Sequence, residues 1–143
     1  MTSVIGGRNP AHCTGLGKAL LAHALPDRGT VDRYIHDYGP LARRTSQTLV
    51  TSERLDRALR LTMARHYAVD RQESEVDIVC IAFPVFLGSP VLPTAAVSVA
   101  ALAQRTPLRQ LTAAADEIRA MIASQLGTAA LLPRSSPRSG AVA

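Results

Sequence analysis

The stretch His12-Cys13-Thr14-Gly15-Leu16-Gly17-Lys18-Ala19 carries the densest set of groups that could do chemistry. A phosphate-binding P-loop needs a glycine five residues before the Gly-Lys pair and a hydroxyl after the lysine. Here those positions hold His12 and Ala19. A dinucleotide fingerprint needs a third glycine where Leu20 stands, and a strand upstream. Two readings remain. Glycines at a helix start leave backbone N–H groups uncovered, and a helix N-terminus favours negative charge by about 0.3–1 kcal/mol at exposed sites, so a small carboxylate could sit there. Alternatively, Gly15 and Gly17 serve only close helix–sheet packing. Cys13 or Cys80 could act as a nucleophile with His12, His23, His36 or His66 as base, but nothing in the sequence brings a thiol and an imidazole together. A buried cysteine acting as a small hydrophobe is the simpler account, and catalysis is not expected. The acidic stretch Asp70-Arg71-Gln72-Glu73-Ser74-Glu75-Val76-Asp77 suits a solvated loop better than a metal site. With no metal-spaced partner, His12 reads as a hydrogen-bonded structural histidine. No metal or cofactor is expected.

The elements that would position these groups follow from periodicity. Thr14 caps a helix over 15–25 that Pro26 stops. A second helix over 27–38 carries Val31, Tyr34, Ile35 and Tyr38 on one face and ends at Gly39-Pro40. A short extended piece follows at 47–50. Ser52 then caps a third helix that ends near Arg65, with Leu55, Ala58, Leu59, Thr62 and Met63 on its inner face. His66 occupies a stop position that prefers glycine. Residues 67–69 form a short strand, 76–87 a buried strand and 91–102 its hairpin return. Which face Ser98 presents depends on a register the sequence leaves open. Pro107 opens one long helix to Leu126, with Leu108, Leu111, Ala115, Ile118 and Ile122 as its stripe, and Gly127 ends it. The α-α-α-β-β-β-α order makes the class α+β, with helices packed on a largely antiparallel sheet. That sheet has few strands and open edges, so part of the domain is expected to be missing.

Composition limits the possibilities further. The 143 residues fit one domain. Hydrophobic residues make up 47% and aromatic ones 3%, so Ala, Leu and Val must build the core. No apolar run reaches the roughly 18 residues of a membrane span and no signal peptide is visible, which points to the cytoplasm. The net charge is +5, but Asp and Glu interrupt the arginines. The densest basic stretch, 43–65, reads as a solvated helix face, with a patch for DNA or an acidic partner as the other reading. Two cysteines make neither a disulfide framework nor a four-ligand zinc site.

Four segments, taken in order, resemble the C-terminal effector-binding domain of the IclR family of transcriptional regulators. They are HCTGLGKALLAHALP, RRTSQTLVTSERLDRALRLTMARHYAVDRQESE, VCIAFPVF and AAVSV followed by the final helix. The resemblance covers residues 8–127, with an N-terminal loop at 1–7 and a Pro/Ser/Arg tail at 128–143 that reads as disordered and basic. It implies a GAF-like fold, N-terminally truncated, that forms homo-oligomers and takes a small organic or aromatic acid as effector. DNA would be engaged only by a separate winged helix-turn-helix domain, expected before residue 1. The effector-facing positions it implies are Gly15, Leu16, Asp70, Ile78, Cys80 and Ser98. Backbone amides at Gly15 and Leu16 would hold a carboxylate, Cys80 and Ser98 would add hydrogen bonds, and Ile78 and Leu16 would supply apolar wall. His66 and Asp77 stand where the family usually has glycine, and a charge at Asp77 would reshape the pocket mouth. Leu16 would shrink the pocket, and Ala100 removes one hydroxyl that relatives can carry. The alternative is an oligomerisation module without a ligand of its own.

Overall fold

The computed structural model describes residues 5–89 and 91–131. A 3₁₀ turn at Ala11–Cys13 leads into α1 (Gly15–Ala24), followed by α2 (Arg28–Tyr38) and α3 (Ser52–Arg65). Three strands come next: β1 (Ala68–Arg71), β2 (Ile78–Val85) and β3 (Ala95–Leu102). Helices α4 (Leu108–Ala113) and α5 (Ala115–Leu126) and a 3₁₀ turn at Thr128–Leu131 complete the described chain. Side-chain caps start the first three helices. Thr14 accepts from the Gly17 N–H, Asp27 and Thr30 form a capping box, and Thr51 accepts from the Arg54 N–H. Each satisfies amides that the first helical turn leaves without partners.

The sheet is antiparallel throughout, in the order β1-β2-β3. The central strand is apolar on both faces because helices cover both. Val79, Ile81, Phe83 and Val85 pack against Leu111, Ala115 and Ile118 of α4 and α5. Burying side chains of this size contributes about 1.5–3 kcal/mol each. The opposite face is built from small groups, Cys80 and Ala82 against Ala19 of α1, so that helix sits close to the strands. Helices α2 and α3 back α1 through Val31, Leu55 and Leu59 packed on Ala22. Pro84 is tolerated in the central strand because it lies beyond the stretch of β2 that β1 pairs, where no ladder hydrogen bond is required of it.

Several expectations need correction. The short extended piece expected at 47–50, outside the three strands, begins in a turn at Gln47 and joins no helix or strand. The Thr48 hydroxyl accepts from the Arg44 and Thr45 N–H groups and donates to the Glu73 carbonyl. Such side-chain-to-backbone bonds compete with a ladder. Thr51, one residue earlier than expected, caps α3. The hairpin return begins at Ala95 rather than at residue 91. The final helix is two helices, broken at Ala114 with φ −87° and ψ 9°. Its apolar stripe hid the break, because Leu111, Ala115 and Ile118 still enter one core. Residues 128–131 are not a disordered tail: Ala130 and Leu131 are buried, and the Ala130 carbonyl accepts from the Phe86 N–H. The rest of that tail, 132–143, and residues 1–4 of the N-terminal loop lie outside the described residues.

His66 ends α3 in the left-handed region, at φ 63°. Asp77, the other position where a glycine was expected, has φ 64°. The resemblance therefore marks two real backbone requirements, met here by residue types that tolerate them at some cost. His66→Gly is expected to stabilise the chain by about 1 kcal/mol, read as a higher urea midpoint. An unchanged or lower midpoint would mean that the His66 side chain makes up the conformational cost.

Candidate ligand-binding cleft

A cleft of about 150 Å³ opens between the N-terminus of α1 and the small-residue face of the sheet. Register explains how it is lined. Cys80 lies opposite Asp70 on β1 and Ala100 on β3, and Ala82 lies opposite Ser98. In an antiparallel sheet, directly opposed residues share a face, so Asp70, Ile78, Cys80, Ser98 and Ala100 all reach the cleft. Gly15 and Leu16 close it from the helix side. Gly15, Leu16, Asp70, Ile78, Cys80 and Ser98 thus meet at one cleft. Asp77 does not line it. Its N–H binds the Gln72 side chain and its carbonyl accepts from Ala103.

The two glycines divide the roles left open by the sequence. A Cβ at Gly17 would lie 2.6 Å from the Ala11 carbonyl carbon, so Gly17 exists for packing. A Cβ at Gly15 would lie 2.8 Å from Cys80 Sγ, and Gly15 also lines the cleft. The Gly17 N–H is taken by Thr14 Oγ1 at 3.0 Å. The N–H groups of Gly15 and Leu16 belong to the same first turn, which has no intrahelical acceptors for them.

Polar groups around the cleft differ in how free they are. Asp70 is buried and committed: it accepts from the Glu73 N–H at 2.7 Å and from the Ser74 hydroxyl at 2.5 Å, pinning the acidic loop. Arg44 lines the cleft, and among the described residues its guanidinium has no ion-pair partner. Burial pushes the Cys80 thiol up to about 11, a hydrogen bond with Ser98 opposing and the Asp70 charge adding. Burial likewise raises Cys13. Both thiols are therefore protonated at neutral pH and poor nucleophiles. The His12 ring is held by the backbone: its Nε2 lies 3.0 Å from the Ala42 carbonyl. Among the described residues no group of three or more His, Cys, Asp or Glu side chains could hold a metal ion, and no helix is long and apolar enough to cross a membrane.

Two contributors escaped the sequence reading. Arg44 was counted only within a basic stretch. Lys18 was read as part of a motif, yet it is buried and ion-paired with buried Glu73. A lone lysine on the packed face of a helix needs a carboxylate partner, and the acidic loop is the obvious source. The pair fastens α1 to that loop. The loop is also held from the other side, where the Thr45 hydroxyl donates to the Gln72 carbonyl at 2.6 Å.

The family model for the C-terminal domain of the bacterial transcriptional regulator IclR matches residues 1–126. The chain belongs to the IclR family. It is 40% identical over 86 residues to the transcriptional regulator KdgR of Dickeya chrysanthemi, a match covering 60% of this chain and 27% of KdgR. Among solved structures, IclR of Thermotoga maritima superposes with a TM-score of 0.72 at 28% identity, covering 89% of this chain and 51% of that one. The inducer-binding domain of PobR from Acinetobacter, a double mutant in complex with 3-hydroxybenzoic acid, gives a TM-score of 0.71 at 27% identity, covering 85% and 67% respectively. The chain thus spans about a quarter of the curated relative and about half of the Thermotoga protein. It matches the C-terminal domain of IclR, and the curated relatives it resembles are named as transcriptional regulators.

Proposed function

We propose that this IclR-family domain senses a small organic or aromatic acid in the α1 cleft, and that occupancy modulates DNA binding by a separate helix-turn-helix domain. The observation that carries the reading is the convergence, on one partly apolar cleft, of donors that have no intrahelical or ion-pair partner among the described residues. First-turn amides of Gly15 and Leu16 and the Arg44 guanidinium supply positive potential, while Leu16 and Ile78 supply wall. A carboxylate suits the donors and a short apolar body suits the walls. Ser98 adds a hydroxyl to the lining. PobR, similar in fold, was solved with an aromatic hydroxy acid. Ligand and DNA affinities would then be linked reciprocally.

A thermal-shift screen against 3-hydroxybenzoate, 4-hydroxybenzoate and short aliphatic acids tests this. A ligand at about 100 times its Kd adds roughly 2.7 kcal/mol of stability. Arg44→Gln should leave the unliganded melt unchanged, since the side chain is exposed, and weaken binding about tenfold or more, the scale of a lost charge-assisted hydrogen bond. A cooperative melt that no acid shifts would reject the sensor. It would favour the second reading, oligomerisation without a ligand, which the outer edge of β3, unpaired among the described residues, and its half-exposed Val97 and Val99 support.

A further inference from the structure

The arginines of α3 do not simply face solvent. Arg60 is engaged by Asp56, and Arg28 of α2 takes Glu53. Arg54 and Arg57 have no ion-pair partner among the described residues, and neither has Arg71 at the end of β1. These three, with Arg65, line a single cleft of about 220 Å³ between α3 and β1. The cleft floor is apolar, formed by Ala58 and Val69 among others. Its one carboxylate, Glu73, is already bound to Lys18. Arg54, Arg57 and Arg71, without ion-pair partners among the described residues, therefore line a concavity whose one carboxylate is taken, beside Arg65, whose Nε donates to the Tyr67 carbonyl at 2.8 Å and whose guanidinium lies over the Tyr67 ring.

We infer that this cleft is a second binding site, separate from the α1 cleft, for a small multiply charged anion bearing phosphoryl or carboxylate groups. Guanidinium forks bind both groups through paired hydrogen bonds, which makes arginine the suited residue. The shape argues for a small molecule. The arginines come from two elements and converge on a hollow, whereas a nucleic-acid surface would spread them along a face. The volume falls below the ~300–1,000 Å³ of sites for drug-sized ligands. Arg65 and Arg71 are close enough to repel: burial lowers the Arg65 pKa, Tyr67 opposes this, Arg71 lowers it further and Glu73 raises it. An anion between them relieves that repulsion. The two clefts use alternate residues of one strand, Asp70 in the first and Val69 and Arg71 in the second, so side-chain alternation keeps them apart.

Calorimetric titration of the 143-residue chain with sodium pyrophosphate, and separately with citrate, at matched ionic strength tests the site. Saturable binding of at least one is expected, and which one binds tells phosphoryl from carboxylate preference. Arg57→Gln with Arg71→Gln should weaken it tenfold or more, and Arg54→Gln alone should weaken it measurably. Arg44→Gln in the other cleft should leave it unchanged. These side chains are exposed, so the melts should match the parent, and Arg54→Gln stands as the milder variant if the double one does not fold. No saturable heat with either anion, equal binding by parent and arginine variants, or loss on Arg44→Gln would each overturn the inference.

Discussion

Lys18→Met is expected to destabilise the chain by about 3–5 kcal/mol, because it leaves Glu73 buried without its partner. That corresponds to roughly ten degrees or more in Tm for a domain of this size. Both side chains are buried and their ion pair joins α1 to the acidic loop. The pH dependence identifies the cause. Burial raises the Glu73 pKa above the usual carboxylate range, and Lys18 opposes that rise. A carboxyl whose folded pKa is raised holds its proton more tightly in the native state. Its contribution is present at low pH and lost as pH climbs through the folded value. Without Lys18, burial and the Asp70 charge are opposed only by the backbone hydrogen bond from Arg71, and the loss reaches further toward neutrality. The melting temperature of Lys18→Met should therefore rise when pH falls from about 7 to about 5, more than that of the parent. Lys18→Met combined with Glu73→Leu should recover most of the stability and flatten the profile, since a buried pair often exchanges for apolar groups at little cost. A single variant melting within about 2 °C of the parent would show that water reaches Glu73 and that the pair holds little.

Gly17→Ala should be nearly as damaging, costing about 3 kcal/mol or more, at or beyond the upper end of ordinary overpacking. The added methyl would meet Ala11 backbone atoms, including the carbonyl carbon at 2.6 Å. Backbone cannot rotate aside as a side chain can, so the 3₁₀ turn or α1 must move. Moving α1 shifts the Gly15 and Leu16 amides, so ligand affinity should fall along with the urea midpoint. Gly15→Ala offers the contrast. Its closest clash is with Cys80 Sγ at 2.8 Å, a side-chain atom that can turn, so its effect should fall more on the cleft than on the fold. If Gly17→Ala unfolded at the parent's midpoint, the close approach of the turn to α1 would not be a requirement of the fold.

Legibility in the sequence followed the range of the forces involved. Helices α1, α2 and α3 were readable because their stops and most of their caps are local: Pro26, Gly39 and the left-handed His66 each act within a turn. The alternation of β2 was not needed to find it, since an unbroken apolar run already marks a strand covered on both faces. What fixes the piece before α3 was not legible, because the Thr48 hydroxyl bonds reach residues 44, 45 and 73, the last of which no local pattern reveals. The break at Ala114 left the apolar stripe intact and so left no mark. As for the cleft, resemblance supplied its candidate positions; the residues alone left both readings of Gly15 and Gly17 open. Arg44 and the Lys18–Glu73 pair depend on contacts between distant segments, the latter 55 residues apart.

Lys18 is also the only lysine in the chain; every other basic side chain apart from histidine is arginine. Arginine does not acylate under mild conditions, and the Lys18 amine is almost fully enclosed. Apart from the amino terminus, the folded domain therefore offers reagents such as activated esters no amine to attack. Reaction at Lys18 requires α1 to lift from the acidic loop, so each acylated molecule records one local opening event. The same burial that fixes the ion pair thus turns the lysine into a built-in chemical clock for the motion of the helix that frames the cleft.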